Sequence, residues 1–174
     1  MAGSVFIKGD RINLKTIEKE DLVFFKDNIN DPSIRYNLTI RFPINKKEEE
    51  RWIEYDRKDS VDLAIYKDEE PIGVISLVRL NKDDGNAEVG LWVTQEKQGK
   101  GYGTEAARLI VTYGFDELRL HRIYARFYEG NESSKKIWDN FNFKKEGTLR
   151  GAAFRDGEYI DIHIYGILEN EWKN

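Results

Sequence analysis

The stretch that most restricts the fold is VDLAIYKDEEPIGVISLVRLNKDDGNAEVGLWVT, Val61 to Thr94, where three runs rich in Val, Ile, Leu and Tyr are separated by KDEEP and NKDDGN. Those separators are turn chemistry, so the runs predict three antiparallel strands in a meander. QEKQGKGYGTEAARLIVTYGF, Gln95 to Phe115, follows directly, with Gly99, Gly101 and Gly103 passing without a break into a helical stripe of Ala107, Ile110, Val111 and Phe115 or Leu118. A meander that feeds a glycine loop and a helix excludes an all-helical bundle and strict βαβ alternation.

Before the meander, RINLKTI alternates with Ile12, Leu14 and Ile17 on one side and predicts a strand. A helix carrying Leu22, Phe25 and Ile29 is stopped by Pro32, and a second helix carries Trp52, Ile53 and Tyr55. Beyond the loop helix, RIYARFY reads as a strand and NESSKKIWDNFNF as a capped helix with Ile137, Trp138 and Phe141 on one face. Two final strands join near RDGE, where Asp156-Gly157 is a hairpin signal. The expectation is a single α+β (mixed α/β) domain over 1–174, with a central, mostly antiparallel sheet of about seven strands and about four helices.

The glycine spacing lets backbone N–H groups between Gln98 and Thr104 converge on an anion, and the helix that starts near Thr104 adds its unsatisfied amides and positive dipole end. A flexible surface turn is the competing reading. Two familiar phosphate loops fail on the letters. The P-loop requires Ser or Thr after Gly-Lys, whereas Lys100 is followed by Gly101; a dinucleotide fingerprint requires G-x-G-x-x-G, whereas glycine here occupies alternate positions. The chain has no cysteine, which removes disulfides, thiolate-bound zinc and cysteine nucleophiles, and no metal site is expected. A net charge of −4 argues against a broad nucleic-acid surface. No apolar run approaches the roughly 20 residues of a membrane span, so no membrane partner and a cytoplasmic location are expected.

Gln98, Gly101 and Gly103, placed as Gln-x-x-Gly-x-Gly between a strand and a helix, resemble the acyl-CoA pyrophosphate loop of the GNAT acetyltransferase superfamily. AEVGLWV resembles that family's splayed central strand, and NESSKKIWDNFNFKKEG its second conserved block. LRGAAFRDGEYIDIHIYGILENEW is similar to the ribosomal-protein N-terminal acetyltransferase (RimJ/RimL-like) branch. The resemblance implies acetyl-CoA as cosubstrate, held by Leu91, Trp92 and Val93 along the strand, by Gln98, Gly99, Lys100, Gly101, Tyr102, Gly103 and Thr104 in the loop, and by Asn131.

By the same resemblance Glu88 is the general base and Ser134 the general acid. Trp138 stands where many family members carry an acidic tyrosine, and an indole N–H is too weak an acid for that task. Trp92 reads as core or pocket wall. In YIDIHIYGI, the alternation puts Ile160, Ile162 and Ile164 toward the core and Tyr159, Asp161, His163 and Tyr165 on the opposite face, where Asp161 and Tyr159 would meet the acceptor. The plainer readings are an exposed strand glutamate, or one that only attracts a cationic acceptor, at Glu88, a first-turn helix residue bonding backbone or CoA at Ser134 with no dedicated acid, a solvated sheet face, and an N-cap role for Asn131.

The acceptor implied is a protein or peptide N-terminal α-amine. Alternatives are a polyamine or other small amine, and a non-catalytic acyl-CoA-binding module, which the missing tyrosine favours. The final strands also suggest a homodimer through an uncovered sheet edge.

Overall fold

The computed structural model describes residues 3–54 and 58–172; the side chains of residues 49 and 52–54 fall outside that description. Of the apolar set expected on the second helix, Tyr55 lies outside the described residues, as do the side chains of Trp52 and Ile53.

The chain opens with a hairpin of β1 (Val5–Lys8) and β2 (Asn13–Lys15). Then come α1 (Leu22–Ile29), the single turn α2 (Pro32–Arg35) and α3 (Lys46–Glu54). The meander is β3 (Val61–Lys67), β4 (Glu70–Asn81) and β5 (Asn86–Val93), and α4 (Tyr102–Asp116) follows the glycine loop. β6 (Arg122–Tyr128), α5 (Glu132–Asn140), the long hairpin β7 (Lys144–Arg155) and β8 (Glu158–Leu168), and α6 (Glu169–Trp172) complete the order. Among the described residues, eight strands form one sheet ordered β1-β2-β3-β4-β5-β6-β8-β7, in which only β5 and β6 run parallel.

The mixed, mostly antiparallel fold is as expected, with one strand and two short helices more. β1 is a short strand whose only partner is β2. Pro32 does stop α1, but it also sits in the first turn of α2, whose cap Asp31 accepts from the Ser33 amide at 2.8 Å. A proline costs little there, because the first amides of a helix have no partner in any case. The hairpin turn is Asp156-Gly157, with φ of 47° and 88°, the conformation a two-residue turn between twisted strands requires.

The sheet separates two apolar layers. On one face α4 and α5 cover the main core, which includes Ile75, Leu77, Val89, Ile110, Ile123 and Trp138. On the other, Phe25 of α1 packs with Ala64, Tyr66 and Val74, with Phe24 and Trp92 against them. Asp21, at the mouth of α1, is buried and accepts from the Tyr66 hydroxyl and the Glu18 amide, which fixes the helix to β3. Among the described residues no helix is long and apolar enough to cross a membrane.

Candidate active site

β5 and β6 pair only over Asn86–Glu88 and Arg122–Tyr124. Beyond Glu88, β5 stays bonded to β4 as far as Val93, and β6 to β8 as far as Tyr128, so the two parallel strands part and a wedge opens between them. From Val89 onward, β5 has no strand partner on its β6 side. Backbone donors and acceptors in that wedge are available to a ligand lying alongside like an added strand. Leu91 leans into the main core, while Trp92 faces the opposite layer, stacked on Phe24 at 6.3 Å and edge-on to Phe25 at 6.0 Å. Trp92 is thus a wall.

The wedge opens toward the glycine loop. Gln98 Nε2 donates to the Val93 carbonyl at 2.9 Å and so ties the loop to the end of β5. Gly101 caps α4 with φ of 83°, a left-handed conformation that costs a side chain heavily. Gly103 serves differently from the sequence expectation: it lies inside α4, and a Cβ there would stand 3.1 Å from Leu91 and 3.5 Å from Ile137. Its bareness lets α4 approach β5 and α5. The first amide bonded to a loop carbonyl is that of Glu105, to Gly101 at 3.0 Å. The amides of residues 99–104 have no hydrogen-bond partner among the described residues, and they include the half-buried first turn of a four-turn helix. This cradle fits a pyrophosphate.

On the far side, Asn131 caps α5, accepting from the Ser134 amide at 3.2 Å and the Ser133 hydroxyl at 3.0 Å. Its plainer N-cap role is therefore present. The Ser134 hydroxyl accepts from the indole N–H of buried Trp138 at 3.0 Å.

Glu88 stands where the strands part, and register places it between Val78 and Tyr124. Its Oε1 accepts from Arg126 Nε at 3.0 Å, a diagonal contact across the parallel ladder. Oε2 is buried with no hydrogen-bond partner among the described residues, 3.5 Å from Arg79 Nε. Arg79 reaches it from a bulge in β4, at φ 53°. The hydrogen bond to Glu88 holds the Arg126 guanidinium above its ordinary value.

Further along this face, Arg155 is buried with its guanidinium 4.1 Å from the Tyr128 ring, and it donates to the carbonyls of Tyr36, Leu38 and Phe154. Arg41 donates to Phe154 O at 2.9 Å. These two arginines tie the α2–α3 connection to β7 and wall the space beside Tyr128. Burial raises the Tyr128 phenol, and the Arg41 and Arg126 charges oppose it.

The expected face of β8 is inverted. Register sets Ile162 beside Tyr128 and Ile164 beside Arg126, on the Glu88 side, whereas His163 and Tyr165 lie beside Phe127 and Ala125. Tyr165 is in the main core, and His163 sits against Thr148 and the Phe127 ring. Asp161 belongs to that same set and accepts from the Gly151 amide at 2.8 Å, closing the bulge in β7. Tyr159, 76% exposed, pairs with Phe154 near the hairpin tip. Neither Asp161 nor Tyr159 joins Glu88. Sequence reasoning missed Arg126, Arg79, Arg41 and Arg155, since each acts through register or a bulge that leaves no local pattern.

A wedge between parallel strands, with an amide cradle at its mouth and a capped helix opposite, defines the acyl-CoA N-acyltransferase fold. The chain belongs to the GNAT acetyltransferase family: the family model described as Acetyltransferase (GNAT) domain matches residues 11–144, and the chain is by class an N-acetyltransferase. It is 32% identical over 120 residues to the Bacillus subtilis (strain 168) protein named "Putative ribosomal N-acetyltransferase YdaF", a match spanning 69% of this chain and 66% of that one. It is 29% identical over 163 residues to spermidine N(1)-acetyltransferase of Escherichia coli (strain K12), spanning 92% and 88% of the two chains. A Vibrio cholerae spermidine N-acetyltransferase, solved with CoA and spermine, has the same fold, with a TM-score of 0.88 at 24% identity over 94% of this chain and 99% of that one.

Proposed function

We propose that the protein transfers an acetyl group from acetyl-CoA directly to the α-amine at the N-terminus of a protein or peptide. In this reading the pantetheine arm lies in the wedge along Leu91, Trp92 and Val93, and the pyrophosphate takes the free amides of residues 99–104. The amine nitrogen attacks the thioester carbonyl, the C–N bond forms as the C–S bond breaks, and the thiolate leaves. Glu88 takes the amine proton through Oε2, which has no hydrogen-bond partner among the described residues and lies 3.5 Å from Arg79 Nε. Ser134 gives its hydroxyl proton to the sulfur and takes one back from water, as Glu88 releases the amine proton to water; a thiol of pKa ~8.5 needs little more help.

The observation that carries the acceptor choice is the charge around Glu88. One carboxylate is contacted by two guanidiniums, Arg126 and Arg79, so the immediate group is net positive. Such a group disfavours a polycation and suits an amine that arrives neutral. An α-amine of pKa ~7.7–8.0 is substantially neutral near pH 7, whereas an alkyl amine near ~10.4 is not. The test is acetyl transfer over a panel of N-terminal peptides, spermidine and amino acids, read by thiol release. Turnover confined to spermidine would overturn the acceptor, and acetyl-CoA binding without release on any amine would overturn catalysis.

The second reading, a polyamine acceptor, is favoured by the E. coli relative's name and by a cavity of about 450 Å³ that includes Asp31, Glu70 and Glu96 in its lining. That cavity opens beside Thr94, six residues along the chain from Glu88.

A further inference from the structure

We propose that Arg11, just before β2, is a positioning residue for the cofactor loop: its guanidinium holds the Lys100 and Gly101 carbonyls on one side so that the amides of residues 101 and 102 are presented to the pyrophosphate of CoA. The inference rests on the acetyl-CoA reading above.

Arg11 lies about 90 residues from the loop in sequence and uses its whole fork there. Nε donates to Glu105 Oε2 at 2.9 Å, Nη1 to Lys100 O at 3.0 Å and Nη2 to Gly101 O at 3.2 Å. The guanidinium carbon sits 5.4 Å from the Tyr102 ring centroid. Glu105, in the first turn of α4, fixes the other end, accepting from the amides of Asp10 at 2.8 Å, Arg11 at 2.9 Å and Ile12 at 3.4 Å. The chain before β2 is therefore anchored to the helix that carries the loop.

The geometric consequence follows from the trans peptide plane, in which C=O and N–H point in opposite directions. Holding Lys100 O toward Arg11 turns the Gly101 N–H away from it, and holding Gly101 O does the same for the Tyr102 N–H. Without that hold, glycine at 101 leaves the Lys100–Gly101 plane free to rotate, and an inward Lys100 carbonyl would set a negative oxygen against the phosphate; the Gly101 carbonyl keeps one bond, from the Glu105 amide at 3.0 Å, and loses its second. The tight fit is visible at Gly101, where a Cβ would stand 3.0 Å from Arg11 Nη2. Lysine cannot substitute, since one ammonium on a flexible stem does not reproduce a planar fork that meets two carbonyls and a carboxylate at once.

The experiment compares the wild type with Arg11→Lys and Arg11→Gln, using acetyl-CoA and S-acetylpantetheine, which lacks the pyrophosphate, as alternative donors. The expected result is a KM for acetyl-CoA raised by about tenfold or more in both variants, with the loss in KM rather than kcat. The S-acetylpantetheine rate should change by less than about twofold, which a general loss of folded protein could not produce. Arg108→Ala is the control: its ion pair with Asp10 at 3.6 Å bridges the same segments without touching the loop, so its KM should stay within about twofold of wild type. Equal losses with both donors, or variants with an unchanged KM for acetyl-CoA, would overturn the role of Arg11 alone. A wild type that does not bind CoA would overturn the acetyl-CoA reading and this inference with it.

Discussion

Trp138 Nε1 donates a hydrogen bond of 3.0 Å to Ser134 Oγ across one turn of α5. The residue that stands in place of an acidic tyrosine is thus bonded to the serine proposed here as the proton donor. Because the indole fills an acceptor position on the oxygen, the hydroxyl hydrogen is left to point elsewhere. Ser134→Ala should leave a buried indole N–H without a partner and cost about 1–3 kcal/mol, measured by urea denaturation. It should also lower kcat. Trp138→Phe keeps the hydroxyl but frees its rotation, and should lower kcat less than Ser134→Ala does; equal wild-type kcat in both variants would rule out proton delivery by Ser134.

Glu88→Gln should reduce kcat/KM by about 10²–10⁴-fold and leave the rise of the rate with pH following the acceptor amine alone. It also leaves Arg126 and Arg79 facing a neutral amide. The decisive readout is therefore the shape of the profile, since a wild-type limb at reduced amplitude would assign Glu88 to charge balance alone.

The acceptor amine should set how the rate rises with pH. With an N-terminal peptide, kcat/KM should rise to a plateau near pH ~8, as the α-amine loses its proton. With spermidine it should still be rising above pH ~9, and its value at pH 7 should be lower than the peptide's. Stopped thiol-release assays across that range compare the two directly.

Glu105 links stability to pH. Burial raises its carboxyl, but the bonds from Arg11's amide and guanidinium and from the Asp10 and Ile12 amides together hold it below its ordinary 4.5. A carboxyl depressed by folding stabilises the native state above its unfolded pKa, and that contribution is lost as pH falls through the lower folded value. Glu105→Gln should cost about 1–3 kcal/mol at pH 7, and the gap from wild type should narrow below about pH 4.5. Urea melts at several pH values measure it; a gap independent of pH would refute the linkage.

The parts of the fold legible in the sequence are those coded locally. KDEEP, NKDDGN and Asp156-Gly157 fixed the meander and the last hairpin, because turn residues act on their own backbone. The orientation of β8 was not legible, since period-two alternation sorts its residues into two sets without saying which set meets the thicker layer. Here both layers hold apolar side chains, and Tyr165 took the core that the isoleucines were expected to fill. Glu88 was legible as a candidate from its place before the loop. Its contact with Arg126, 38 residues away, exists only because Glu88 pairs with Tyr124. Arg11 was invisible for the same reason.

The parting of β5 from β6 is made by main chain, with β5 bonded to β4 from Glu88 to Val93 and β6 to β8 throughout. Side-chain exchange leaves such an opening in place. If the donor lies along that wedge as proposed, the residues around it on the α2–α3 connection and β7 can drift toward new amines without disturbing its track, and a selection for altered acceptors should find its winners there rather than in the strands that part.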